Sequence, residues 1–526
     1  MFEAIMSASV LLKVLCTLGL ILLLNTVTKQ LAVSVFVGAV LLGLWTGHSS
    51  GGLMGVAAER SFSVDNLLLI VIIFEVIWLS SQMSRTGLME DLVDSVRSRV
   101  SREGAMAALP AVIGFLPMPG GALFSAPLVD SCDEGEDVSR SLKARANHWF
   151  RHVWEYWWPL YPGVLLAMSI IEFDVWQMMI MGVPLTLAAI GAGYFFILRP
   201  ISHHEETARA PERGGERPSL TGPLMPIIVV VLTYVMVRAG YTGIRSWSAG
   251  LPPLNRYVPM MAGLVLAMIL LQVAKPLGAR DWKEIVFSRR TLNMVVIVLA
   301  VRIYGAFIEA DLPDGTPLVA KMRAEMDQWG IPLLAMTMLL PMISGLATGV
   351  SIGFVGASFP IVLKLWPDAA SNQLLAVVAL AYGFGYMGML LSPVHVCLIV
   401  TCEHFKVEVS RAIRGMLRPA ILVLLCSVGL YLFWNWFPWQ MWERKEEPKS
   451  KRKMRYKEEV EWGIEQSEVQ KMPGDESVAW FKTPDSATRT VSRSDACSAE
   501  KTSWHPGSPP LILSPKIREA PPCHLA

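Results

Sequence analysis

Two apolar segments of this chain are interrupted in the same way. Residues 116–125 read LPMPGGALFS and residues 340–351 read LPMISGLATGVS. Each sets Pro, Gly and Ser or Thr into a strongly apolar region. Inside a bilayer an unpaired backbone N–H or C=O costs several kcal/mol. Broken helix is therefore tolerated only where protein or a water-filled cavity surrounds it. A pair of such interruptions in matching positions of two halves points to a binding site at mid-membrane.

The rest of the chain supplies that setting. Of its 526 residues 53% are hydrophobic and 17% charged, which is the composition of a polytopic membrane protein. A net charge of +2 carries no nucleic-acid signature. The seven Cys are scattered with no Cys-x-x-Cys pair, so neither a zinc knuckle nor a disulfide framework is expected. The first apolar run lacks a basic leader and is expected to be a retained span.

Apolar runs near the length of about 20 residues that a crossing needs fall at 4–24, 31–47, 66–83 and 175–198. After a loop at 199–222 they recur at 224–239, 258–273, 292–308 and 421–437. Between them, in each half, lie an interrupted region (105–129 and 331–363) and a broken span (147–171 and 373–400). Asn66 matches Asn293, Pro117 matches Pro341 and Pro162 matches Pro393 at nearly constant separation. The predicted fold is an all-α polytopic membrane protein: two inverted repeats, about ten transmembrane helices and two re-entrant hairpins. The first repeat covers 1–198 and the second 223–442. A polar tail at 443–526, too poor in apolar surface to fold alone, is expected to be disordered.

Lys and Arg sort by side in this layout. Arg97, Arg99, Arg140, Arg145, Lys275, Lys283, Arg411 and Arg414 fall on one side, and few fall on the other. The positive-inside rule makes the richer side cytoplasmic.

Candidate binding residues at the first interruption are Pro117, Pro119, Gly120, Gly121 and Ser125. At the second they are Ser344, Gly345, Thr348, Gly349 and Ser351. Free N–H groups at half-helix starts favour anions, while hydroxyls and unwound carbonyls suit Na⁺. The broken spans add Tyr161, Ser392 and His395, the last a proton-coupling candidate because His titrates near neutrality. Glu75 and Arg302 occupy equivalent positions inside two spans. Such charges face the bundle interior and pair, so these two are expected to be functional or mutually paired. His148, Arg151, His152 and Glu155 form a candidate gate or relay. His148, His152 and Glu155 share one face of a continuous helix, a spacing that can hold a divalent metal. No Glu follows the first His and no further ligand is evident, so no metal or cofactor is predicted.

The strings GFLPMPGGALFSAPLV, NHWFRHVWEYWWPLYPG and GMLLSPVHVCLIV resemble a prokaryotic membrane family, "domain of unknown function 401". The resemblance covers about 1–442. It implies kinship with an ion-transporter superfamily of gluconate-type and dicarboxylate symporters, with inverted repeats, paired hairpins, a mid-membrane site and a homodimer. Sodium-dicarboxylate members carry Ser-Asn-Thr at the tips. The tips here read Met118-Pro119-Gly120-Gly121 and Ile343-Ser344-Gly345 and lack the Asn.

The expected function is secondary transport of a small organic anion, coupled to H⁺ or Na⁺, by alternating access in the cytoplasmic membrane. Two other classes compete. One is a membrane-embedded metal-dependent hydrolase built on His148, His152 and Glu155. The other is a non-transporting scaffold, which would have no use for two costly helix interruptions.

Overall fold

A computed structural model of the protein describes residues 8–115, 121–133, 137–202, 221–248, 251–252, 254–367, 369–436, 478–482 and 488–492. They divide between two units, Met1–Pro438 and Trp439–Ala526. In the second, β1 (Val478–Lys482) pairs antiparallel with β2 (Thr488–Ser492).

The first unit is helical. Its N-terminal half runs α1 (Val10–Thr28), α2 (Leu31–Trp45), α3 (Ser50–Ser61), α4 (Val64–Arg85), α5 (Leu88–Arg97), α6 (Arg102–Gly114), α7 (Gly121–Asp130), α8 (Arg140–Arg151), α9 (Pro162–Ile171) and α10 (Val175–Gly193). A π turn, Tyr194–Leu198, extends α10. The C-terminal half runs α11 (Thr221–Trp247), α12 (Val258–Ala274), α13 (Ala279–Val286), α14 (Arg289–Glu309) and α15 (Leu318–Gln328). It continues with α16 (Leu333–Thr348), α17 (Ser351–Lys364), α18 (Ser371–Leu390), α19 (Val396–Phe405) and α20 (Val409–Trp436).

Local chemistry sets the ends. Ser9 caps α1, whose next free amides, Val10 and Leu11, donate to the Glu325 carboxylate at 2.9 and 2.7 Å. A carboxylate at a helix start meets both the orphan N–H groups and the positive end of the dipole. Asp174 and Gln177 form a capping box on α10. Pro162 opens α9, where its missing N–H leaves no bond unmade.

Among the described residues, seven helical stretches are long and apolar enough to cross a membrane, or eight if the bent pair α15 and α16 is one span. The remaining crossings expected from sequence are α2 and α12, at 15 and 17 residues, and the broken pair α8/α9. Each of these pieces falls short of the full length. α18 is enclosed, with 78% of its span buried, against 17% for α11. The outer helices present apolar side chains outward, including Phe36, Leu187, Leu232, Met236 and Leu425. A surface of that kind is stable only against lipid.

The packing repeats with a shift of ten elements. α1 packs on α2, and α11 on α12. α2 packs on α14, and α12 on α4. α6 packs on α8, and α16 on α18. α7 packs on α19, and α17 on α9. α8 packs on α20, and α18 on α10. Each half therefore completes its core with the other half's helices. Ion pairs also join the halves: Arg85 with Asp281 and Glu284, each at 2.9 Å, and Arg60 with Glu309 at 2.5 Å.

The second interruption departs from expectation. Leu340, Pro341, Met342, Ser344 and Gly345 are helical, inside α16. The chain breaks later, at Gly349, which takes φ +62, a left-handed conformation that glycine adopts without strain. Gly345 serves packing: a Cβ there would lie 2.3 Å from Gly385 O and 2.6 Å from Met389 N on α18. Small residues of this kind let membrane helices approach closely.

Candidate functional site

Three short helices begin where the chain is broken, and α7 is described from Gly121. α9 starts at Pro162. α17 starts at Ser351, two residues past Gly349, and α19 at Val396. Their starts lie together. A Cβ on Gly163 would meet Ser351 Oγ at 2.3 Å, one on Gly349 would meet His395 N at 2.9 Å, and one on Gly121 would meet Arg151 Nη2 at 2.5 Å. Arg151, in turn, reaches α19, with Nη1 3.8 Å from Cys397 Sγ.

The first break, 152–161, leaves carbonyls with no helical partner, and neighbouring helices satisfy them. Tyr386 Oη donates to His152 O at 2.6 Å and Tyr382 Oη to Glu155 O at 2.8 Å, both from α18. Thr186 Oγ1 of α10 donates to Val153 O at 2.7 Å. The break in turn caps α6: Trp154 Nε1 donates to Ala111 O at 2.9 Å and Tyr161 Oη donates to Gly114 O. Every donor comes from protein, as a broken helix in lipid requires. His152 O also accepts from Glu155 N at 3.3 Å, so Tyr386→Phe would remove the shorter of its two hydrogen bonds, which costs about 0.5–1.5 kcal/mol. Thermal unfolding in detergent should show that loss. The exposed Tyr194→Phe should stay within about 0.5 kcal/mol of wild type.

The second break, 391–395, is held by Ser392 Oγ donating to Leu346 O at 2.5 Å. Thr348 Oγ1 donates to Ser344 O at 2.7 Å. Ser125 Oγ and Ser344 Oγ are buried with no hydrogen-bond partner.

Three histidines meet at the centre, all buried. His152 Nε2 lies 3.2 Å from His395 Nε2, across the two halves. His148 completes the group, its ring centroid 5.0 Å from that of His152 and 5.1 Å from that of His395. His148 Nε2–H donates to Leu390 O at 3.0 Å, and His152 Nδ1 pairs with Glu155 Oε1 at 3.0 Å. Asn147 Nδ2 donates to Thr401 Oγ1 at 2.9 Å, a second bond between α8 and α19.

Several sequence expectations are corrected here. α8 ends at Arg151, so His148, His152 and Glu155 do not share a continuous helix; Glu155 reaches His152 through the turns that follow. Beside His148, His152 and Glu155 the sequence showed no further ligand, whereas the fold brings His395 to the two histidines. Glu75 and Arg302 form no ion pair. Glu75 Oε2 is buried without a hydrogen-bond partner, and Arg302 lines a cavity of about 10 Å³ beside Arg60 and Glu309, room for one water. Pro117, Pro119 and Gly120 lie outside the described residues. Tyr382 and Tyr386, spaced one helical turn apart in an apolar span, were missed, though their polar tips in that setting are a legible signal.

This architecture defines a class: a helical, multi-pass membrane protein whose broken helices meet in its interior. The chain matches the family described as "Protein of unknown function (DUF401)" over residues 7–433. That match covers most of its length, and the protein belongs to that family. Comparison with curated proteins finds no match.

Proposed function

We propose that this protein is a secondary active transporter, driven by H⁺ or Na⁺, that carries a small organic anion across the cytoplasmic membrane. The observation that carries this reading is the meeting of three helix starts, α9, α17 and α19, with the first described turn of α7 and the Arg151 guanidinium. A helix N-terminus offers free N–H groups and a partial positive charge, and a guanidinium matches a carboxylate with two parallel bonds. Such ends and a cation in a low-dielectric interior favour an anion.

The packing that recurs between α1–α10 and α11–α20 supports two inverted repeats and kinship with the ion-transporter superfamily. α6, α7, α16 and α17 have 13, 10, 16 and 14 residues. Length alone does not separate them from α2 and α12, but the 113° bend between α15 and α16 fits a re-entrant segment, and re-entrant hairpins are part of this reading. In this reading α1, α2, α11 and α12 are scaffold, and the hairpins with their broken spans form the moving unit. Assembly as a homodimer and the absence of enzymatic activity belong to the same reading.

A thermal-shift screen of purified protein against small organic anions, in Na⁺ and in K⁺ buffers across pH, tests it. An anion at a hundred times its Kd should stabilise the fold by about 2.7 kcal/mol. If no anion shifts the transition in any buffer, the substrate class is wrong.

A further inference from the structure

We propose that His148, His152 and His395 form a binding site for a divalent transition-metal ion of the zinc class, clasping the first half's broken span to the second's. The inference does not rest on the transport reading, since it concerns binding to the resting protein.

Each ring has a ligand nitrogen, and all three nitrogens lie within 4.8 Å of one another. Tetrahedral Zn²⁺ with Zn–N bonds of about 2.0–2.1 Å holds two nitrogens about 3.3 Å apart. His152 Nε2 and His395 Nε2 stand at 3.2 Å, already at that separation. The third ligand nitrogen, of His148, lies within 4.8 Å of both.

The outer partners fix the tautomers that a metal needs. A carbonyl only accepts, so His148 carries its proton on Nε2 towards Leu390 O. Its Nδ1 then has a bare lone pair, and this atom is buried without a partner. With Glu155 ionised, as metal binding at the rings would favour, its carboxylate takes the Nδ1 proton of His152 and leaves Nε2 bare towards His395. Histidine ligands characteristically donate their other N–H to a carbonyl or carboxylate, which orients the ring and raises its basicity. Here two of three rings have that partner. Three protein ligands leave a fourth position open to water or to an anionic group.

The ligands come from both halves, His148 and His152 beside the first break and His395 beside the second. A bound ion therefore ties together α8 and α19, which already pack on each other.

The test uses the purified full-length protein, stripped with chelator and then titrated with Zn²⁺ or Co²⁺. Wild type should bind one equivalent per chain, gain thermal stability, and give with Co²⁺ the intense visible absorption of a tetrahedral site. His395→Gln and His148→Gln should each lose affinity by at least about tenfold, while His404→Gln, at the far end of α19, should bind as wild type does. His395→Cys guards against a folding defect. It keeps a ligand and should add a thiolate-to-Co²⁺ charge-transfer band. No stoichiometric ion in wild type, unchanged binding in His395→Gln, or no charge-transfer band in His395→Cys would each overturn the site. A bare hydrogen bond between His152 and His395 would then be the whole of the contact.

Discussion

Gly114→Ala is expected to destabilise the protein by about 3 kcal/mol or more. A Cβ at Gly114 would lie 1.8 Å from Arg151 O, 2.7 Å from its carbonyl carbon and 3.2 Å from its Cα. All three are backbone atoms at the end of α8, so no rotamer change relieves the clash. Overpacking that side chains can absorb costs about 1–3 kcal/mol, and one that moves backbone costs more. The displaced strand of chain is also the one that accepts from Tyr386 and donates to α6, so the disturbance spreads through the first break. Gly191→Ala is the matched control: nothing lies within 4 Å of its Cβ, on the lipid-facing side of α10. Alanine there gains about 0.5–1 kcal/mol from helix propensity. Thermal unfolding of the two variants in the same detergent should move in opposite directions. Equal effects would mean that α6 and the first break do not meet as described.

Arg151→Gln is expected to remove anion uptake almost completely while leaving the fold largely intact. Arg151 is 4% exposed, closes α8, and sets its guanidinium against Gly121 of α7 and towards Cys397 of α19. On the proposed reading, a carboxylate bound in that interior would lose its water and rely on the cation. Removing one partner of such a desolvated pair costs about 2–5 kcal/mol, which at 1.4 kcal/mol per tenfold is roughly thirtyfold to a few thousandfold in affinity. Arg151→Lys should recover only part of the loss, because an ammonium lacks the planar fork that engages both carboxylate oxygens. The variants are checked by uptake together with far-UV helicity. A normal rate with glutamine at this position would remove Arg151 from the site.

The helices were legible wherever apolar length decides. α4, α10 and α14 fall on the runs read from sequence, within a few residues at each end, whereas α11 runs on to Trp247 and α20 begins already at Val409, because helix continues past the apolar stretch. α15 was missed although Leu318, Val319, Met322 and Met326, its buried residues, follow helical spacing. α3 was missed because SGGLMGVAAERS is Gly-rich and buries no residue in the fold. The second interruption, expected over 340–351, breaks only at its far end, at Gly349, and Pro341 stays helical. A proline in a membrane helix frees only one carbonyl, which neighbouring groups can satisfy. The positive φ of Gly349 is what turns the chain, and φ is not written in a single glycine's neighbours.

The site was legible in its parts and not in its assembly. His148, Arg151, His152, Glu155 and His395 each stood out as polar groups in apolar surroundings. The 3.2 Å contact between His152 and His395 joins residues far apart in the chain, and only the interlocking of the halves brings them together. Glu75 and Arg302 show the converse. Equivalent positions in two repeats suggested a pair, yet pseudo-symmetry relates such residues without making them neighbours.

Uptake into proteoliposomes tests the central claim most directly. Purified protein, reconstituted and given the anion that stabilises it best, should accumulate that anion inside vesicles under an imposed Na⁺ or proton gradient. Accumulation should collapse when the gradient is dissipated and be absent with Arg151→Gln. Uptake no greater than that of protein-free vesicles, under either gradient and with folded protein in the membrane, would contradict the account.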